Sequence, residues 1–257
     1  MIDKIQTLGL ASKGLVYSII GALTAMVAFD MGGGKTGKSG VINFLQQQPF
    51  GKFILYFLAV GILAYAFWRL YSAFTDAKDK GSDASGIAKR IGYGISGLLY
   101  LAFSVSILTA AVGSGGGGGS GGKQHYADVL MNKPYGPWLL GLIGVIIIGV
   151  GLYQMYKGYS GKYMEELNAG ESSQRELIEK TGKFGYMARG VVFGILGYFV
   201  LRAGVTENAG MIRGTQGAFS FLQQLSYGWL IMGIIAVGML GYGIFMIFVS
   251  KHSHVHS

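Results

Sequence analysis

One string in the sequence has the spacing of a phosphate-binding loop. Residues 32–39 read Gly-Gly-Gly-Lys-Thr-Gly-Lys-Ser and match G-x-x-x-x-G-K-[ST], in which backbone N–H groups and a lysine surround nucleotide phosphates. That chemistry needs a β-strand before the loop and a helix after it. Here an apolar run precedes it, and the corresponding segments 113–122 and 204–214 keep glycine but lose the motif. We therefore interpret residues 32–39 as a solvated loop that binds no nucleotide.

Glutamates are concentrated in the polar connection 161–180, where paired carboxylates would suit acid–base chemistry. They are Glu165, Glu166, Glu171, Glu176 and Glu179. Such chemistry needs a cleft that holds the carboxylates in place, and the segment indicates a short solvated helix instead. Ser173 and Glu176 have capping-box spacing, and Glu176 with Lys180 forms an i, i+4 pair. We predict no catalytic residues here.

Metal ligands are scarce. The sequence contains no cysteine, which excludes disulfides, thiolate zinc sites and thiol catalysis. His252, His254 and His256 alternate near the end of the sequence, where fraying is the favoured interpretation. His125 stands alone and is interpreted as a surface residue. We expect no metal, no cofactor and no enzymatic activity.

Polar side chains within apolar runs are the usual indication of function in a membrane protein. Arg69 lies near the end of its run, and Gln154 occupies the corresponding position of a later run. They could clamp a substrate, but helix capping or headgroup contact is the favoured interpretation. The tyrosines considered with them are Tyr17, Tyr65, Tyr100, Tyr153 and Tyr242. These could hydrogen-bond around a pseudo-threefold axis, although packing beside a local acceptor is favoured.

Six apolar runs must position these side chains. The chain has 257 residues, a mean hydropathy of +0.44, only 13% charged residues and 45 glycines, a composition typical of membrane helix bundles. The runs are 14–29, 53–74, 91–112, 138–156, 187–201 and 229–249. Most approach the ~20 residues that cross a bilayer as a helix. The sequence therefore predicts an all-α, polytopic membrane helical bundle with six spans.

Charge predicts how the spans lie in the membrane. The first and fifth runs are short, so they must either borrow flanking residues or extend Lys13, Arg189 and Arg202 toward the headgroups. Most of the 21 lysines and arginines fall on the side of the termini, which predicts cytoplasmic N and C termini. The net charge of +9 thus indicates topology and attraction to anionic lipids, and nucleic acid is not expected as a partner.

Three tandem copies of one hairpin account for the six runs. The first helices align on Gly14, Gly97 and Gly190, and the second helices on Gly51, Gly136 and Gly228. We place the copies at 8–75, 86–160 and 181–250, with residues 161–180 as a connector, in one membrane domain.

Each copy also contains a short amphipathic segment before its second span. It ends in Pro-Phe-Gly, Pro-Tyr-Gly or Ser-Tyr-Gly and is predicted to lie flat at the outer interface. Parallel hairpins of this kind favour a closed ring of three.

The repeated segments resemble a bacterial family. The residues that carry the likeness are Gly9-Leu10-Ala11-Ser12-Lys13-Gly14-Leu15-Val16-Tyr17, Gly185-Tyr186-Met187-Ala188-Arg189-Gly190-Val191-Val192-Phe193, Gln48-Pro49-Phe50-Gly51 and Pro134-Tyr135-Gly136. They are similar to the membrane family catalogued as domain of unknown function 1206, over nearly the whole chain. The resemblance implies three two-helix repeats in a bacterial inner membrane and implies no activity.

Two function classes remain open. A structural or accessory membrane component, which binds lipids or joins a larger protein assembly, is favoured by glycine–aromatic packing and by the scarcity of charge within the runs. The alternative is a channel or transporter with a pseudo-threefold pathway for a small solute, by analogy of plan alone.

Overall fold

Within the residues that the structure describes, the chain is helical. The computed structural model describes residues 2–31, 37–76, 81, 83–113, 129–166 and 175–252. The α-helices in these ranges, numbered in chain order, are α1 (Ile2–Ala28), α2 (Gly37–Gln46), α3 (Gly51–Thr75), α4 (Ala84–Val112), α5 (Gly136–Ser160), α6 (Arg175–Val205), α7 (Thr215–Gln223) and α8 (Gly228–His252). Short 3₁₀ turns occupy Lys162–Glu166 and Ala209–Met211.

Six of these helices are long and apolar enough to cross a membrane. They are α1, α3, α4, α5, α6 and α8, which confirms the predicted six-span helical bundle. The short helices α2 and α7 precede the second spans of copies one and three. Most of the corresponding segment of copy two lies outside the described residues, which resume at Val129 in a helical turn. We call the end of the bundle where α1, α4 and α6 begin the N-terminal face.

The predicted separate helix in the connector does not form. Residues 175–180 are instead the first turns of α6, and Lys180 Nζ lies 2.5 Å from Glu176 Oε1, which confirms the i, i+4 pair. Ser173 and Glu171 lie outside the described residues, as do the side chains of Glu165 and Glu166.

Tyr163 anchors the part of the connector that precedes α6. Its ring stacks on Tyr186 at a centroid distance of 5.4 Å, and its hydroxyl donates a hydrogen bond of 2.6 Å to the Glu179 carbonyl oxygen. Burial and the nearby Glu179 carboxylate raise the pKa of Tyr163 above its usual value. The connector is therefore packed onto the bundle at this point.

The closest helix pairs join neighbouring copies of the repeat. These pairs are α3 with α4, α5 with α6, and α8 with α1. Each consists of the second helix of one copy and the first helix of the next, and the third pair joins copy three to copy one. The two helices of a single copy pack less extensively, as α1 with α3 and α6 with α8.

Small residues spaced seven apart let these pairs approach closely. They are Gly14, Gly21 and Ala28 on α1, Gly97, Ser104 and Ala111 on α4, and Gly190, Gly197 and Gly204 on α6. A Cβ added at Gly14 would lie 2.7 Å from the Gly243 carbonyl oxygen, and one at Gly190 would lie 2.7 Å from that of Gly151. Ser104 Oγ donates a 2.8 Å hydrogen bond to the Ala59 carbonyl. Van der Waals contact of this kind drives helix association in lipid.

The turn before each second span also depends on glycine. The N–H of Gly51 donates a hydrogen bond to the carbonyl three residues earlier at 2.9 Å, and those of Gly136 and Gly228 do the same at 2.8 Å. A Cβ at any of the three would overlap the backbone carbonyl of the preceding short helix. The repeated aromatic-Gly pair thus marks a turn that other residues do not fit.

Helices α2 and α7 are more buried than the predicted flat arrangement implies. Val41, Ile42 and Leu45 of α2 are at most 8% exposed, and Ala218 and Phe219 of α7 at most 1%. The N termini of the two helices meet, since a Cβ at Gly37 would lie 2.9 Å from Thr215. Together they cover the bundle at the end opposite the N-terminal face.

The ring of hairpins is open in copy two, which corrects the predicted closure. In copies one and three, a Cβ at Gly9 or Gly185 would lie 2.6 Å from the Cα of Tyr65 or Tyr242 on the partner helix. The corresponding Gly92 on α4 has no neighbour within 4 Å among the described residues. Helices α4 and α5 are not among the packed pairs. We call the gap between them the second-copy seam.

Two isoleucines explain why the second-copy seam stays open. A Cβ at Gly61 would overlap Ser12 in copy one, and one at Gly238 would overlap Ala188 in copy three. Copy two has Ile95 and Ile146 at these positions, and both are more than half exposed. Two β-branched side chains thus occupy the positions at which small residues let the helices meet in the other copies, so the two helices do not reach contact distance.

The interface glycines give a matched test of this packing. Gly190→Ala places a methyl group against Gly151 and should lower stability by about 1–3 kcal/mol, as overpacking does. A Cβ at Gly194, about one turn further along α6, would meet nothing within 4 Å. Gly194→Ala should therefore leave the thermal unfolding temperature in detergent unchanged, while Gly190→Ala lowers it by several degrees. Equal melting of the two variants would contradict the assignment of the α5–α6 interface.

Candidate functional site

Lys13 of α1 points into the bundle. Its side chain is 6% exposed, and its Nζ donates a hydrogen bond of 3.1 Å to the Tyr65 hydroxyl. The same Nζ lies 4.8 Å from the Tyr65 ring centroid, 5.4 Å from that of Tyr242 and 5.8 Å from that of Tyr100. Aromatic faces attract a cation at such distances. Lys13 therefore occupies a tyrosine-lined position contributed by α3, α4 and α8.

Arg189 of α6 reaches the same group of tyrosines. Its guanidinium donates a hydrogen bond to the Tyr242 hydroxyl and lies 4.3 Å from the Tyr242 ring centroid and 5.0 Å from that of Tyr17. Its Nε is buried and has no hydrogen-bond partner. No carboxylate of the described residues contacts it. We call these side chains the basic–tyrosine cluster: Lys13, Arg189, Tyr17, Tyr65, Tyr100 and Tyr242.

The cluster follows the repeat in two copies and departs from it in the second. Lys13 and Arg189 are corresponding residues, and each donates to the corresponding tyrosine of its own copy's second helix. Copy two has Ser96 at the basic position, and its hydroxyl accepts a 2.9 Å hydrogen bond from Arg69 Nε of α3. Arg69 of copy one thus lies beside Ser96, the uncharged residue that copy two has at the basic position.

The short first and fifth runs continue into their flanking residues, since α1 begins at Ile2 and α6 at Arg175. Lys13 and Arg189 therefore do not lie at helix ends. Both turn inward, where tyrosine hydroxyls and ring faces offer partners. Arg202, in the last turn of α6, is exposed as expected.

The predicted tyrosines divide into two groups. Tyr17 packs edge-on against Tyr242 at a centroid distance of 4.8 Å, and Tyr65 against Tyr100 at 4.7 Å. These four tyrosines pack against one another and lie beside the basic side chains, and Tyr65 and Tyr242 accept hydrogen bonds from them. Tyr153 does not join them; it is 59% exposed on α5. The repeat explains this, because copy two has Val150 where the others have Tyr65 and Tyr242.

Arg69 and Gln154 are not brought together as a clamp. The Arg69 guanidinium lies 4.4 Å from the Tyr93 ring centroid, beside its hydrogen bond to Ser96. Gln154 is 6% exposed on α5, and its side-chain oxygen is buried without a hydrogen-bond partner. Arg69 therefore serves the α3–α4 interface.

A third basic side chain approaches the cluster from the other end of the bundle. Lys38 of α2 places its Nζ 4.9 Å from the Tyr100 ring centroid and 4.6 Å from that of Phe103. Lys38 belongs to the phosphate-loop string, of which residues 32–36 lie outside the described residues. The described part follows a helix rather than a strand, and Lys38 points into the bundle.

The remaining candidates from the sequence are the possible metal ligands. Within the described ranges, no group of three or more His, Asp or Glu side chains could hold a metal ion. His125, His254 and His256 lie outside the described residues, as does the side chain of His252.

Sequence reasoning missed the basic pair, although a signal was present. The alignment places Lys13 and Arg189 at one position, directly before the glycine on which the first helices align. Because that glycine faces another helix, its basic neighbour had to lie near an interface. The seven-residue spacing of small residues would have shown which face this is.

The fold and this site define a class: a multi-pass helical membrane protein of three repeats around an intramembrane cluster of basic and tyrosine side chains. The family model described as Domain of Unknown Function (DUF1206) matches residues 8–76, 91–161 and 184–251. The chain belongs to this family, as the resemblance in the sequence implied. It is 30% identical over 256 residues to "Uncharacterized protein YxxB" of Bacillus subtilis (strain 168), covering 99% of this chain and 92% of the relative. No solved structure matches the chain.

Removing the tyrosine hydroxyl that Arg189 uses tests the cluster. Tyr242→Phe deletes the acceptor of a charged donor and should destabilise the protein by about 1–3 kcal/mol. Tyr153→Phe removes a hydroxyl from an outward-facing ring and should have no effect. Thermal unfolding of both purified variants in one detergent measures the difference. A Tyr242→Phe variant as stable as wild type would show that the cluster does not depend on this contact.

Proposed function

We propose that the chain binds an anionic group inside the membrane, at the basic–tyrosine cluster. The observation that carries the proposal is the convergence of Lys13 and Arg189 on shared tyrosines inside the helix bundle. Ionisable side chains within membrane-spanning segments are costly and mark functional sites by default. Tyrosine rings offset part of the cost, and an anion at the unpartnered Arg189 Nε would offset more.

The chemistry of the donors favours a phosphate or a carboxylate. A guanidinium presents a planar set of N–H donors that matches these anions, while a lysine ammonium acts as a compact charge. Tyrosine hydroxyls can donate as well as accept, so those that face the basic pair can also turn toward an anion. The proposed ligand group is therefore an oxyanion with two or more acceptor oxygens.

An anion site of this kind is compatible with both function classes left open by the sequence, the lipid-binding membrane component and the solute pathway. Lys13 and Arg189 supply charge at the cluster, where the sequence had indicated little. Assembly with a protein partner and the lack of enzymatic activity and of nucleic-acid binding stay predictions.

We further propose that both termini face the cytoplasm and that the protein lies in the bacterial inner membrane. The lysines and arginines outside the spans lie mostly at the N-terminal face and support this orientation. The cluster would then lie in the cytoplasmic leaflet, where anionic lipids produce a negative surface potential.

Cysteine labelling tests the orientation. The cysteine introduced by Gly117→Cys should react with an impermeant maleimide in intact cells, because the loop after α4 would be external. The cysteine introduced by Ser173→Cys should react only after the membrane is permeabilised, because the connector would be cytoplasmic. The chain contains no cysteine of its own, so background labelling is absent. Labelling of position 173 alone in intact cells would reverse the proposed topology.

Calorimetric titration with hexyl phosphate tests the anion site. This probe carries the proposed headgroup and only a short chain. Wild-type protein in a neutral detergent should bind it at one saturable site. Arg189→Met should weaken binding at least about tenfold, the effect of losing one strong charged hydrogen bond.

Arg202→Met is the matched control, because it removes the same charge from the same helix at an exposed position. It should bind hexyl phosphate like wild type. Absence of saturable binding, or equal weakening by the two variants, would overturn the anion-binding proposal.

A further inference from the structure

The second-copy seam gives the cluster an opening on one side. Tyr17, Tyr65 and Tyr242 and the basic Lys13 are contributed by α1, α3 and α8, and each is at most 6% exposed. Tyr100 of α4 and Arg189 of α6, the partner helix of α5, are only partly buried. The members of the cluster that retain exposure are thus on α4, which forms one wall of the seam, and on α6, which packs against the other wall.

The walls of the seam are apolar and uncharged. Among the described residues, a Cβ added at Gly92 of α4 or at Gly149 of α5 would meet nothing within 4 Å. Ile95 and Ile146 lie about one turn from these glycines on the same helices, toward the end of α4 and the start of α5. Val150, which corresponds to Tyr65 and Tyr242, is 41% exposed. Helix α5 is the least covered span, with 22% of its apolar window buried against 61% for α8. The seam therefore offers a surface suited to hydrocarbon.

We propose that the ligand is an anionic lipid, with its headgroup at Arg189 and one acyl chain in the second-copy seam. This rests on the proposed anion site and names its ligand. An acyl chain suits the seam because the isoleucines hold the helices apart and leave an apolar surface. An oxyanion suits the cluster because Arg189 Nε is buried without a hydrogen-bond partner.

Charge decides between a lipid and other occupants of the seam. A protein helix could cover the apolar surfaces of α4 and α5, but it would bring no anion to Arg189. A free anion could bind the cluster, but it would leave the apolar walls uncovered. An anionic lipid has both parts in one molecule and reaches the seam from the surrounding leaflet.

The length of the probe's alkyl chain tests whether the seam holds an acyl chain. Binding of tetradecyl phosphate and of hexyl phosphate is compared on the full-length protein in one detergent, with the partition of each probe into empty micelles subtracted. Wild type should bind the longer probe at least about tenfold more tightly, since each buried CH₂ contributes to affinity.

Two kinds of variant remove the seam without touching the cluster. Ile95→Ala with Ile146→Gly gives copy two the small residues of copy three, so that α4 and α5 can pack. Gly92→Leu with Gly149→Leu instead fills the gap with side chains. Either pair should abolish the advantage of the longer chain and leave hexyl phosphate binding unchanged. Val237→Ala, at an exposed position of α8, a helix that does not form the seam, is the control and should keep the advantage.

The outcomes separate the two proposals. Hexyl phosphate binding that depends on Arg189, with no gain from the longer chain, would overturn the lipid assignment and leave a small-anion site. A gain that survives both pairs of seam variants would also overturn it, because the chain would lie elsewhere. Loss of all saturable binding to wild type would overturn the anion site and the lipid assignment together.

Discussion

Close approach of helix backbones is the constraint on which this structure depends. Lipid tails are as apolar as leucine, so helices in a membrane gain little from burying hydrophobic surface and must gain from contact. The small residues that recur every seven positions provide that contact along α1, α4 and α6. Where a larger residue stands at the meeting point, as Ile95 and Ile146 do, the contact is lost and the bundle opens. Both the rigid part of the molecule and its opening thus follow from side-chain size.

The three copies share a backbone plan and differ in the chemistry placed on it. Copies one and three each contribute a basic residue and a tyrosine that accepts its hydrogen bond. Copy two has Ser96 and Val150 at those positions and a gap between its helices. The loss of the polar pair and the loss of packing occur in the same copy. The pseudo-symmetric frame therefore presents an asymmetric interior, charged on the side of α1 and α6 and apolar at the seam.

Much of the fold could be predicted from the sequence, because span length and repetition are local signals. The six spans, the turns at Gly51, Gly136 and Gly228 and the short helices of copies one and three are such features. Pairing between neighbouring copies was not predictable in the same way, since hydropathy does not state which helix lies next to which. The cluster was missed because Lys13 and Arg189 lie close enough to a span end for snorkelling to explain them. The direction of such a side chain depends on what the neighbouring helices present to it.

The pairing of helices across copies has a consequence for assembly at the translocon. Hairpins emerge in the order α1–α3, α4–α5 and α6–α8, yet the extensive partner of each first helix belongs to another hairpin. Helix α1 is synthesised before α3 to α6, and its main partner, α8, is synthesised only after them. Contacts of such long sequence separation form slowly, because the intervening chain must first be brought together. Until then α1 exposes to lipid a charged lysine and a row of glycines, a surface that membrane chaperones or premature partners could recognise during biogenesis.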